Sequence, residues 1–183
     1  MKKQLFLLFS FLSSAAFLQA QILELNPAFP TVNDVVTITY DATQGNAALV
    51  GQSQIYCHAG LITSASTSPT NWQFVQGNWG TVDPEVAMTN IGNNKHTITI
   101  DIDQFYGFPA GTNVLKLAFV FRNASGNIVG RAADGSDIYY DIYPVNAGLL
   151  ASFFHPSAGT ILDINEVLSI YAATNQTSTT ANV

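Results

Sequence analysis

Apolar and polar residues alternate with a period of two through most of this chain. Val36, Ile38 and Tyr40 alternate with Thr37, Thr39 and Asp41, and His96, Ile98, Ile100 and Ile102 alternate with Lys95, Thr97, Thr99 and Asp101. Successive side chains of a strand point to opposite faces, so this pattern predicts half-buried strands. The run Val114 to Arg122 places Leu115, Leu117, Phe119 and Phe121 on one face, and Ile138, Tyr140 and Ile142 repeat the alternation near the end. Val86, Met88 and Ile91 predict a further short strand. Turn signals separate these runs: Thr43 to Asn46, Gly92-Asn93-Asn94, Asn123 to Gly126 and Asp134 to Asp137. About seven short strands with no helical period predict an all-β, immunoglobulin-like antiparallel β-sandwich over residues 21–145.

The stretch Gln54 to Gly80 departs from that scaffold pattern. In its opening strand Ile55, Cys57 and Ala59 share one face and Tyr56 and His58 the other. The small and apolar set belongs inward, which turns Tyr56 and His58 outward. Cys57, the single cysteine, is expected to be an inert core residue. A Ser/Thr-rich loop, Thr63 to Asn71, follows, and then Trp72, Phe74 and Trp79. Sugar rings offer apolar C–H faces rimmed by hydroxyls, which suit flat aromatics with amides beside them. Tyr56, His58 and Trp72 are therefore the leading ligand-facing candidates and Trp79 the next, with Gln54, Asn71, Gln73 and Asn78 as hydrogen-bonding neighbours. Phe74 is assigned to the core.

Two regions fall outside the sandwich. Residues 1–20 combine Lys2 and Lys3 with the apolar run Leu5 to Leu18 and read as a signal peptide, giving a secreted, periplasmic or cell-surface protein with no membrane segment after cleavage. Residues 146–183 read as a linker and the start of a second, truncated β module, because so short a piece cannot bury a core alone, with a swapped or extra strand of the first domain as the alternative. Pro144 to Gly148 opens the linker, and Leu149 to Phe154, Thr160 to Ile164 and Val167 to Ala173 are its predicted strands.

Charge narrows the partners. Without Lys2 and Lys3 the chain carries four basic residues against twelve acidic ones, a net of −8. Such a surface has no electrostatic means of holding a phosphate backbone, which argues against nucleic acid. Familiar nucleophile, zinc and phosphate-loop motifs are absent from the sequence, and His58, His96 and His155 have no metal-ligand spacing. Asp101 and Asp103 read as a solvated strand end. Asp134 and Asp137 are weak candidates for Ca²⁺, and otherwise no cofactor is expected. The residues present are not expected to form an enzyme.

The order IYCHAG, NWQFVQGNWG, AMTNIGNNKHTITID, LKLAFVFRNASGN and DGSDIYYDI resembles starch-binding modules of secreted bacterial α-amylase-family enzymes, of the Bacteroidetes type. The resemblance spans about Asp34 to Tyr143. It implies an α-glucan ligand, contacts from Tyr56, His58 and Trp72, and a linked catalytic domain outside this chain. It also implies a late tryptophan, whereas Gly130 to Asp137 contains no aromatic residue. The alternative is a structural spacer or protein-interaction module that binds no glycan.

Overall fold

The computed structural model describes residues 21–155 and 171–175. The expected signal peptide and the expected strand Thr160 to Ile164 lie outside the described residues. Two antiparallel sheets form the body of the protein. The first has the order β1 (Leu23–Asn26), β2 (Val35–Asp41), β6 (Lys95–Asp101), β5 (Thr89–Gly92). The second has the order β4 (Gln73–Gln76), β3 (Tyr56–Thr63), β7 (Val114–Arg122), β8 (Val129–Gly130), and β9 (Ile138–Asp141) also pairs with β7. The predicted alternation decides which side chains meet. Leu23, Leu25, Val36, Ile38, Tyr40 and Ile100 of the first sheet face Cys57, Ala59, Leu61, Leu117, Phe119 and Phe121 of the second across one core. One contact between the sheets is aromatic: Tyr40 stacks on Phe121 with ring centroids 4.0 Å apart. The fold is an antiparallel β-sandwich. Burial pushes the Cys57 thiol up to about 12, which leaves it an unreactive core group.

Three local expectations need correction. Leu115 is exposed, although Leu117, Phe119 and Phe121 are buried as the alternation requires. The strand expected to begin at Val86 starts instead at Thr89, after a 3-10 turn over Pro84–Val86. A short helix, α1 (Ile102–Tyr106), follows β6 directly. Asp101 caps it by accepting from Gln104 N (3.2 Å), while Gln104 Nε2 donates back to the same carboxylate (3.0 Å). Acid at the cap and amide three residues on is a helix-start signal that the strand period obscured. Beyond the sandwich, β10 (Ala151–His155) and β11 (Tyr171–Thr174) pair antiparallel in a ladder of their own.

His96 lies opposite Tyr40 on β6 and is fully buried. Its ring faces the backbone of Gln52, Ser53 and Asn94, yet neither ring nitrogen makes a well-formed hydrogen bond among the described residues. Desolvation lowers its pKa below the ordinary 6.5, so the folded protein holds His96 neutral while the unfolded chain protonates it. Stability is therefore expected to fall as pH drops through 6.5, at up to about 1.4 kcal/mol per pH unit, until the lower folded value is reached. Urea midpoints measured from pH 7.5 down to about pH 5 test this, and His96→Leu should flatten the slope. Equal slopes in the two proteins count against it.

Candidate functional site

The register of β3 against β7 pairs Tyr56 with Arg122, His58 with Val120 and Gly60 with Ala118 on the face turned away from the core. Alternation assigns Tyr56 and His58 to this outer side, but only His58 reaches the surface there. Tyr56 is buried, so its expected place on a ligand face is corrected. Its backbone bridges to Ala87, and the Arg122 guanidinium lies over its ring at 5.1 Å. A central strand has neighbours on both edges, and here the chain from Gly77 to Ala87 also meets this sheet, through the Gly77 carbonyl at His58, the Ala87 bridge at Tyr56 and the Asn78 and Thr81 carbonyls at Arg122. A period of two tells which side a residue faces, not whether that side is covered.

His58 is half-buried between the two tryptophans. Its ring centroid lies 6.0 Å from Trp72 and 5.2 Å from Trp79, the latter edge-on. His58 Nδ1 donates to the Gly77 carbonyl at 2.9 Å. A carbonyl only accepts, so the proton sits on Nδ1, and in the neutral ring Nε2 is left as an acceptor. Burial lowers the His58 pKa and favours this neutral form.

Each tryptophan rests on a glycine. A Cβ on Gly60 would come within 3.0 Å of Trp72, and a Cβ on Gly126 within 2.7 Å of Trp79 Nε1. Glycine inside a strand signals such a close approach. Trp72 is half-buried, and its indole N–H faces the Tyr139 hydroxyl without a well-formed hydrogen bond among the described residues. Trp79 is the more open of the two, at 46% exposure. Phe74 is not a core residue. A bulge in the β3–β4 pairing puts it at φ 52°, and it sits partly exposed against Phe108 with centroids 6.2 Å apart.

His58 and the two tryptophans border a shallow, solvent-open cleft of about 370 Å³. Its lining is His58, Thr70, Asn71, Trp72, Val75, Trp79, Val120, Arg131 and Asp137. Arg131 Nη1 and Asp137 Oδ1 form an ion pair on its edge. Arg131 escaped the sequence reading, although an arginine near an acid in a chain so poor in basic residues was an available signal.

The other expected site residues do different work. Gln54 Nε2 donates to the carbonyls of Ile55 (3.1 Å) and Met88 (2.9 Å), away from the cleft. Gln73 Nε2 donates to Asn71 Oδ1 at 3.0 Å, and of these two amides only Asn71 borders the cleft. Asp134 Oδ1 accepts from Ser136 N (2.9 Å) and Ser136 Oγ (2.6 Å), closing a turn. With Asp137 held by Arg131, the two carboxylates suggested for Ca²⁺ are engaged in a turn and an ion pair.

A family model described as a domain of unknown function (DUF8578) matches residues 23–129, more than half of the chain. The chain belongs to this family. No curated protein matches it. The DUF8578 span contains His58, both tryptophans, Arg122 and the two seating glycines. It ends before Arg131 and Asp137, so the aromatic part of the cleft lies within the family's domain and the ion pair just beyond it.

Proposed function

We propose that this protein is a non-catalytic carbohydrate-binding domain that lays a neutral α-glucan along the Trp72–His58–Trp79 cleft. The observation that carries the reading is an imidazole held between two indoles and favoured in its neutral form, above a cleft whose only charges among the described residues are a matched ion pair. Indole faces pack against the C–H faces of sugar rings. His58 Nε2 and the Asp137 carboxylate accept from hydroxyls, and Arg131 donates to them. The absence of net charge favours a neutral polyol over an anionic sugar. Glycoside hydrolysis uses two carboxyl groups flanking the scissile bond, and Asp137, the one acid lining the cleft, is already paired. The choice of α-glucan rests on the resemblance to starch-binding modules. The same resemblance and the pattern of residues 1–20 support export as an accessory part of a secreted glycoside hydrolase. Tethering would there raise the local concentration of substrate.

Electrophoresis through gels containing amylose or glycogen tests the reading. The protein should be retarded, with little change between low and moderate salt. Trp79→Ala and Trp72→Ala should each weaken binding by about five- to ten-fold, the scale of one lost aromatic contact. Free migration of the parent protein in both gels would reject glucan binding in favour of a spacer or protein-interaction role.

A further inference from the structure

Arg122 ends β7 on the outer face of the second sheet, yet it is completely buried. It makes no ion pair among the described residues. Its guanidinium faces four backbone carbonyls instead: the two N–H groups of Nη1 are shared among Thr81 (3.0 Å), Asn123 (3.1 Å) and Ala124 (3.1 Å), and Nη2 donates to Asn78. Asn78 and Thr81 flank Trp79 in one loop, and Asn123 and Ala124 belong to the turn that carries Gly126. The same guanidinium lies 5.1 Å from the Tyr56 ring and 5.9 Å from the Trp79 ring.

A buried cation without a carboxylate partner is costly, and an apolar side chain of similar volume fills a core more cheaply. The planar fork does what an apolar side chain cannot: it ties two loops together at the edges of one exposed indole. Gly126 supports that indole from beneath. Asp83 completes the arrangement by accepting from Asn78 N (2.8 Å) and Asn78 Nδ2 (3.1 Å), so Asn78 is held from both sides. Arg122 itself does not line the cleft.

We propose that Arg122 is a positioning residue that fixes Trp79 in its exposed pose and thereby sets the affinity of the cleft. The affinity clause rests on the glucan-binding reading, whereas the hold on Trp79 does not. Trp72→Phe leaves Trp79 as the sole tryptophan, and acrylamide quenching then reports its environment. In that background Arg122→Met should raise the quenching of Trp79 while the far-ultraviolet spectrum keeps its strand signature. With Trp72 present, Arg122→Met should weaken retardation by amylose about ten-fold, and it should cost nothing more once Trp79→Ala is in place. A merely structural Arg122 would weaken binding equally with and without Trp79, and that result overturns the proposal, as does unchanged quenching in a folded Arg122→Met protein. If Arg122→Met does not fold, Arg122→Lys keeps the buried charge but loses the planar fork that spans both loops, and it must reproduce both effects for the proposal to stand. If the parent protein ignores amylose, the affinity clause falls with the glucan reading, and quenching alone decides the hold on Trp79.

Discussion

Phe121→Ala is expected to destabilise the protein by about 3–5 kcal/mol, the range for removing a large aromatic from a packed core. Phe121 is fully buried near the end of β7. Its ring stacks on Tyr40 of the opposite sheet at 4.0 Å and 16°, and lies 5.9 Å from Phe119 on its own strand. Truncation therefore removes contacts both within a sheet and between the sheets. Tyr40 sits on β2, which is hydrogen-bonded to β1 and β6 on its two edges, so its backbone has little room to follow the lost ring. The urea midpoint should fall with little change in the slope of the transition. A loss below about 1 kcal/mol would mean that the two sheets are not joined chiefly through this stack.

Gly130→Ala should cost about 3 kcal/mol, the upper end of the ordinary overpacking range. The added Cβ would lie 2.2 Å from the Tyr40 hydroxyl oxygen and 2.8 Å from Leu49 Cδ1. Both neighbours are fully buried, and the tyrosine ring is backed by Phe121. The Tyr40 hydroxyl itself has no hydrogen-bond partner among the described residues. Tyr40→Phe alone should thus change stability by less than about 1 kcal/mol, because it removes an unsatisfied group. Combined with Gly130→Ala, it should recover a large part of the loss by clearing the shortest contact. A double variant whose losses simply add would show that the clash is relieved elsewhere.

The scaffold was readable wherever one face of a strand is buried and the other open. Val36, Ile38 and Tyr40 on β2 follow the alternation closely and are all buried. It was less readable where local chemistry competes with that period. Asp101 continues the polar phase of β6, and only its hydrogen bonds with Gln104 reveal that it starts a helix. The site shows the same division. Alternation separates Cys57 from Tyr56 and His58, but it carries no information about the loop that later covers Tyr56. The order of the tryptophans also changes: Trp79, placed second by sequence, is the more exposed because Arg122 and Gly126 prop it up from distant parts of the chain. Such long-range support leaves no periodic trace. The glycines were the available hint, since a strand interior or tight turn that tolerates no Cβ announces a close neighbour.

The glycine seats have a thermodynamic consequence for whatever occupies the cleft. Surface aromatics are usually free to change rotamer, and a ligand must then arrest them, at about 0.5–1.5 kcal/mol for each side chain immobilised. Trp72 against Gly60 and Trp79 against Gly126 have already surrendered that freedom during folding. The entropy is spent before any encounter, so a small contact area goes further here than on a mobile surface. Filling either seat should then act mainly on how long a complex survives, because a loosened indole lets go sooner while partners still meet at the same rate.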